Sequence, residues 1–392
     1  MPTRIQCYAT DSLGPKAQVR ETTSAQIVVG TVTLASWFSY WGIPRGYFDV
    51  LCVDEAGHAT EPEVVAVAAS LMDFYGNEGA VGQLILAGDP EQLGPISNSD
   101  VCRKFGLAMP LMERLAEREV YARQADGTYP KDLLIKLIRN YRSHPSILKL
   151  PNDMFYSDLQ SCGDSTVTTN IINWEHLPMI GFPIVFHAVD GENLREGTSP
   201  SWFNPTEAQQ VVEYASMLTR ENDPPIQTEE IGIITPYSRQ AQKIRLALEI
   251  ESMPEVKVGS VESFPGQERR VIILSTVRAE QEMVSYDLKH SLGFVAHSER
   301  FNVAITRAKA LLIVIGCPSV LAIDKEHWLP FMKYCYNNGG WAGERWDHSM
   351  AEDEVMSLGA VSDNINNDLN GLTLRRRRGV SGYRLSSTVV VD

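Results

Sequence analysis

The stretch Val50-Leu51-Cys52-Val53-Asp54-Glu55-Ala56-Gly57-His58-Ala59-Thr60-Glu61-Pro62-Glu63 decides how the rest of the chain is read. Its apolar opening has the length of a buried parallel strand, and the pattern predicts a strand that ends at Val53 with two adjacent carboxylates, Asp54 and Glu55, at its exit. Open α/β sheets carry their chemistry at that exit, outside the carboxyl ends of the strands. Of two such carboxylates, one can hold a magnesium ion through water, and the next can orient or deprotonate an attacking water. That is the division of labour nucleotide hydrolysis needs. Taken alone, the pair also reads as an acidic loop after a core strand, so its meaning depends on what else the chain supplies.

Upstream, Ile27 to Val32 reads as a strand rich in β-branched residues, closed by Thr31 and Thr33, and Trp37 to Gly46 as an aromatic connection. Downstream, residues 61–74 open with acids and a proline and predict a helix. Gln83 to Ala87 is a second short strand that runs into GDPEQLGP, Gly88 to Pro95, and so delivers Asp89 and Gln92. An amide such as Gln92 can hydrogen-bond a terminal phosphate or its attacking water without adding charge, although the same string suffices as a proline-glycine turn. Residues 107–122 predict an amphipathic helix and 123–132 a loop. Leu133 to Ile138 is strand-like and leads into RNYRSHP, Arg139 to Pro145, where Tyr141 offers a ring face and Arg142 a planar fork suited to phosphate.

Residues 157–205, rich in Ser, Thr, Asn, Gly and Pro, read as connection and insertion around a strand at Ile184 to Phe186, and 206–219 as a helix. Ile231 to Thr235 then predicts a buried strand turning into a helix whose Ala241, Ile244 and Leu248 share a face. Val258 to Arg278 places a loop with Gln267 and Glu268 ahead of the strand Val271 to Leu274. Glu299 to Pro318 reads as a helix carrying Arg300, Thr306, Arg307 and Lys309 into the strand Leu311 to Ile315. Beyond Trp346 the chain turns acidic and Asn-rich and has too few core residues to fold alone.

The 392 residues have room for two domains, and 44% hydrophobic content can fill their cores. No run of about 18 apolar residues appears, and the opening residues lack the apolar core of a signal peptide, so the expectation is a soluble, cytoplasmic protein with no membrane contact. The run Arg375–Arg378 is a candidate nuclear address or RNA contact. Six cysteines form no CxxC pair and no metal-like spacing with the eight histidines, which points to reduced thiols without zinc. A net charge of −14 argues against coating nucleic acid by bulk charge, yet leaves room for a local groove of donors and stacking groups.

Taken in order, DEAGHATEPE (Asp54–Glu63), GDPEQLGP, NYRSHP (Asn140–Pro145), TPYSRQ (Thr235–Gln240), SVESFPGQE (Ser260–Glu268) and RFNVAITRAK (Arg300–Lys309) resemble motifs II, III, the arginine-tyrosine motif, IV, V and VI of superfamily 1 helicases. The likeness is strongest to the RNA-directed branch that includes the nonsense-mediated-decay and Armitage-type RNA-silencing helicases. It implies an α/β chain of RecA-like parallel sheets, the P-loop NTPase fold, with ATP and Mg2+ between two domains and single-stranded nucleic acid across them, RNA favoured over DNA. Residues 1–132 would be the later part of a first RecA-like domain, 133–340 a complete second one, and 341–392 a disordered tail. By the resemblance Asp54 would hold magnesium and Glu55 would act on the attacking water. Gln92 would sense the γ-phosphate, with Asp89 beside it in the nucleotide set. Arg142 and Arg307 match two arginine fingers, Tyr141 the residue that stacks on adenine, and Glu268 the one that reaches the ribose.

The implied function is an ATP-dependent helicase or translocase that moves 5′ to 3′ on single-stranded RNA as a monomer and works with RNA-silencing or RNA-decay proteins. The alternative is a non-catalytic RNA-binding or scaffold protein derived from one. Two departures matter. Pro265 stands where the branch has Gln, which removes an amide and a backbone donor. No GxxxxGK[ST] occurs in the 392 residues, and Gly14-Pro15-Lys16 is no substitute. The expectation is therefore the C-terminal portion of a helicase, which by itself binds ATP weakly and hydrolyses it poorly.

Overall fold

A computed structural model describes residues 5–7, 25–76, 81–97, 99–125, 127–197, 199, 201–264, 266–280, 294 and 297–346. The expected disordered tail with Arg375–Arg378, the Gly14-Pro15-Lys16 string and Pro265 lie outside the described residues. The chain forms two compact units, Met1–Leu137 and Ile138–Asp392.

The second unit is organised by a six-stranded sheet in the order Lys257–Gly259, Ile231–Ile234, Arg269–Ser275, Ala308–Gly316, Ile184–Ala188, Trp341–Gly343. Every pairing in it is parallel. Parallel strands need crossovers: the helix Ser238–Ile250 joins the neighbours Ile231–Ile234 and Lys257–Gly259, and Pro205–Arg220 lies on the connection from Ile184–Ala188 to Ile231–Ile234, which have two strands between them. Register places Ile233, Ile273, Ile313 and Val185 in one row across the sheet. That row is fully buried under Val211, Leu218, Ile244 and Leu248 of the two helices. Residues of the opposite face, such as Ile272, Leu274 and Val314, are buried as well, which is why these strands read as unbroken apolar runs rather than alternation. Packing is close: a Cβ on Gly232 would meet Ile272 Cδ1 at 2.8 Å. The chain is thus a mixed α/β protein of the RecA-like kind.

The segment from Glu299 to Pro318 departs from its reading as one helix leading into a strand at Leu311. The helix Ser298–Ile305 stops early, and the strand begins at Ala308. Thr306 turns its hydroxyl back to Asn302 O at 2.7 Å, and the Arg269 N–H bonds Arg307 O at 3.1 Å, drawing residue 307 into the sheet ladder. Arg307 therefore sits in the joint, and Lys309 lies on the strand.

In the first unit, Ile5–Cys7 pairs with Ile27–Val29, and Val50–Val53 with Gln83–Leu86, both in parallel. The crossover between the second pair is the helix Glu61–Leu71, opened by a capping box in which Glu63 Oε2 takes the Thr60 N–H at 2.8 Å. Three expectations are corrected here. The strand beginning at Ile27 ends at Val29, and the aromatic stretch is the helix Val32–Tyr40. Thr31 caps it by accepting the Leu34 N–H at 3.1 Å, and Leu34 and Phe38, one turn apart, bury against Val67 and Leu71. The helix expected over 107–122 contracts to Leu111–Ala116 plus a 3₁₀ turn at Glu119–Tyr121, because Gly106 is left-handed and Pro110 stands at the start. The strand-like run at 133–138 is not a strand. The N–H groups of Leu133 and Leu134 both turn onto Pro130 O, and pairing begins only in the second unit, at Arg139–Asn140 against Gln160–Ser161. Among the described residues no helix is long and apolar enough to cross a membrane.

Candidate functional site

Within the first unit, the loops that leave Val53 and Leu86 lie against each other. The Ala87 N–H donates to Val53 O at 2.9 Å and the Ala56 N–H to Ala87 O at 2.7 Å. A Cβ on Gly88 would meet the backbone nitrogens of Gly57 and Ala56 at 3.0 and 3.1 Å, so glycine permits the approach. The structure thereby brings Asp54, Glu55, Asp89 and Gln92 to one edge of one strand pair. Asp54 Oδ1 accepts the Glu55 N–H at 3.1 Å. Glu55 itself has φ +50°, a left-handed backbone that costs a non-glycine residue roughly 1–3 kcal/mol and turns the chain sharply out of the strand. Its carboxylate lies 3.7 Å from His58 Nε2. Asp89 accepts the Gln92 side-chain amide at 2.8 Å and the Glu91 N–H at 3.0 Å, so this carboxylate orients the amide. Among the described residues no group of three or more metal-ligating side chains forms. The donor set at Asp54 nonetheless fits magnesium, which takes one or two protein carboxylates and fills its shell with water and phosphate oxygens.

Within the second unit, NYRSHP is stapled to the start of the Ala308 strand. Asn140 Oδ1 accepts the N–H groups of Arg142 and Ser143, each at 3.0 Å, which fixes the turn. The Ser143 hydroxyl donates to Ala308 O at 2.8 Å and the His144 N–H to Lys309 O at 2.8 Å. Arg142 is thereby set so that its Nε donates to Glu268 Oε2 at 2.5 Å, while Lys309 Nζ lies 2.7 Å from Glu268 Oε1. Burial pushes the Glu268 carboxyl up, but the hydrogen bonds and charges of Arg142 and Lys309 together outweigh it and hold it below the usual carboxylate range. Arg142 Nη1 also reaches Thr306 O at 3.4 Å. Arg307 is buried, its Nε donating to Val303 O at 3.2 Å and its Nη2 to Thr306 Oγ1 at 3.3 Å. Tyr141 is 66% exposed, with its ring available for stacking.

The geometry thus brings Arg142, Glu268 and the backbone of Thr306 together, and it gives Glu268 two cationic partners. Sequence reasoning missed that pairing and the roles of Asn140 and Ser143. It also missed the ion pair between Glu262 and Arg300, 2.9 Å, which ties the SVESF loop to the helix Ser298–Ile305. Only the Asn140 turn had a local signal, an Asn two residues before an Arg; Arg142 and Glu268 are 126 positions apart.

Residues 11–100 and 107–319 match two family profiles, each described as an AAA domain, and the chain belongs to that family. It is 43% identical over 356 residues to the "Putative helicase mov-10-B.1" of Danio rerio, covering 88% of this chain and 34% of that protein. Identity to the "RNA helicase Mov10l1" of Mus musculus is 43% over 324 residues, 81% of this chain and 27% of the relative. The "Probable RNA helicase armi" of Drosophila melanogaster is 35% identical over 335 residues, again 81% of this chain and 27% of that protein. Within the family these relatives place the chain among the superfamily 1 helicases of the RNA-directed, Armitage-type branch. The chain spans between about a quarter and about a third of the length of these curated relatives.

Proposed function

We propose that these residues are motor parts of an ATP-dependent RNA helicase or translocase, in which nucleotide hydrolysis drives movement along single-stranded RNA and duplex unwinding. The observation that carries the reading is the cluster of Arg142, Glu268 and Lys309 beside Thr306. An arginine seated on a shared carboxylate is preorganised for phosphate, and a scaffold has no use for that. On this reading residues 1–132 belong to a first RecA-like domain and 133–340 form the second. Asp54 holds Mg2+, which when bound neutralises phosphate charge, and Glu55 orients or deprotonates the attacking water. Gln92, aligned by Asp89, senses the terminal phosphate. Arg142 and Arg307 neutralise charge growing on the transferred phosphoryl group, a role worth about 10³–10⁵ in rate in other NTPases. Tyr141 offers its ring to adenine. Glu268, with one donor on each oxygen, keeps acceptor capacity for a ribose hydroxyl, so the same carboxylate that seats Arg142 can bind the nucleotide. The names of two relatives, both RNA helicases, support RNA over DNA. Partners drawn from RNA silencing or decay are proposed on the family resemblance.

One observation favours a second reading, a non-catalytic RNA-binding scaffold: the 392 residues hold no GxxxxGK[ST]. Binding of a fluorescent ATP analogue to this chain separates the two. Weak binding that is lost in Tyr141→Ala and Arg142→Ala is the expected result, together with turnover near background because the 392 residues hold no GxxxxGK[ST] to cradle the β- and γ-phosphates. Binding untouched by either substitution would overturn the nucleotide reading and leave the scaffold. Matched RNA and DNA single strands test the choice of nucleic acid, and a preference for DNA would reverse it.

A further inference from the structure

Val277 is fully buried and has φ +73°, a left-handed backbone that a β-branched residue rarely adopts. Such a conformation costs roughly 1–3 kcal/mol and persists only where its surroundings over-determine it. Here side chains at the start of one helix hold both polar groups of the residue. The Val277 N–H donates to Glu207 Oε2 at 2.9 Å, and Asn204 Nδ2 donates to Val277 O at 3.2 Å. The Ser275 hydroxyl donates to the same Glu207 oxygen at 2.6 Å. Gln240 braces both sides, donating to Ser275 Oγ at 2.9 Å and Asn204 O at 3.1 Å and accepting the Asn204 N–H at 2.9 Å. Asn204, Glu207, Gln240 and Ser275 are all without solvent exposure. A buried carboxyl group is a costly way to close a core, so this network calls for a reason beyond stability.

What the turn aims is Arg278. It is buried, its Nε donates to Tyr237 OH at 2.9 Å, and its guanidinium carbon lies 4.4 Å from the Trp202 ring centroid and 5.1 Å from that of Tyr237. Arg195 lies against Trp202 as well, at 4.0 Å. Thr235, which follows the neighbouring strand, comes out at the same edge as Ser275. Asn193 is drawn there by accepting the N–H groups of Ala279 and Glu280, each at 3.1 Å. Trp202 Nε1, Thr235 Oγ1 and Asn193 Nδ2 are buried polar atoms with no hydrogen-bond partner among the described residues. Orphan donors of this kind, gathered at the carboxyl edge of a parallel sheet, point to a ligand that takes them up.

We propose that Glu207 is a positioning residue for single-stranded RNA at this edge: with Asn204 and Gln240 it locks left-handed Val277, which seats Arg278 against Trp202 and Tyr237 and holds the neighbouring donors for a phosphodiester backbone. The proposal rests on the reading of the chain as an RNA binder and names what shapes one part of its groove. Glu207 acts through the Val277–Arg278 turn and does not itself touch RNA.

The test uses the whole 392-residue chain, a labelled oligouridine and hydrogen exchange across residues 269–280. Glu207→Ala is expected to raise the RNA Kd about five- to tenfold with the salt slope little changed, because Trp202, Thr235 and Asn193 are neutral donors. It should also speed exchange of the Thr276, Val277 and Arg278 amides. Glu207→Gln keeps an oxygen for Ser275 and Val277, so it should bind within about twofold of wild type and keep the protection. A wild-type Kd in a folded Glu207→Ala protein would overturn the proposal, as would a loss in Glu207→Gln equal to that in Glu207→Ala. Should Glu207→Ala not fold, Gln240→Leu removes the brace alone and must weaken binding in the same direction, or the proposal fails. A wild-type chain that binds no oligouridine would defeat the RNA reading itself and the groove with it. The exchange arm separates the lock: unchanged protection in Glu207→Ala would overturn it whatever the RNA result.

Discussion

Two pairs of parallel strands that read alike as sequence have opposite surroundings. Ile231–Ile234 and Arg269–Ser275 are buried at every apolar position, whereas Val50–Val53 and Gln83–Leu86 leave Val50 46% and Ile85 49% exposed while Val53 is buried. An apolar run is enough to specify a strand, but the number of neighbours in the sheet and the helices over it decide whether both faces are dry. The functional side chains differ in the same way. In the first unit they are held by short turns, Asp54 on the Glu55 N–H and Asp89 on Gln92. In the second they are held by groups remote in sequence, as Arg142 is by Glu268 and Val277 by Glu207.

The largest effect expected from this contrast is in the core. Ile273→Ala should cost about 3–4 kcal/mol, a buried large-to-small change, while Ile85→Ala should cost about 1 kcal/mol because much of the side chain is already wet. Urea unfolding followed by hydrogen exchange reports each unit separately, and equal costs would break the comparison. Next comes Glu207. Burial raises its carboxyl from the ordinary 4.5 to about 7 against the hydrogen bonds of Ser275, Val277 and Thr276. Between those values the folded chain keeps a proton that the unfolded chain releases, so stability falls as pH rises through the window, by up to about 3 kcal/mol. Glu207→Gln removes that titration. Its melting temperature should exceed wild type most above pH 7, and the gap should close toward pH 4.5.

Smaller effects sharpen the local side of the contrast. Thr60→Ala removes one half of the capping box on Glu61–Leu71 and should destabilise the first unit by about 1 kcal/mol, read by exchange in that helix. Smallest is Glu268→Gln. The lowered carboxyl of Glu268 contributes stability that is present above its unfolded pKa and is lost as pH falls through the folded value, the reverse of Glu207. The group is partly solvated, so after screening the contribution is about 1 kcal/mol or less, seen as a wild-type-minus-Gln difference that vanishes in acid. Its larger consequence should be on Arg142, through weaker binding of the ATP analogue.

Much of the second unit was legible because its signals are local and strong. The runs at Ile231, Val271 and Leu311, the helix face of Ala241, Ile244 and Leu248, and the order of the six motif segments need only neighbouring residues to be read. The errors fell where local signals compete. Val32 is a good strand former, yet Thr31 caps a helix there whose Leu34 and Phe38 find a core. Residues 133–138 are apolar enough for a strand, but among the described residues no strand pairs with them, and Ile135 and Leu137 remain about four-fifths exposed.

By itself the sequence determined the α/β class, the strand exits that carry Asp54, Glu55, Asp89 and Gln92, and the helicase family, since hydrophobic period, turn chemistry and motif order act over a few residues. Only the tertiary structure decided that Glu268 lies between Arg142 and Lys309, that Arg307 sits in a joint, and that Glu207 holds Val277 in a left-handed turn. Those contacts link segments remote in the chain, and their free energy exists only once the order of the parallel sheet has brought the strand ends together.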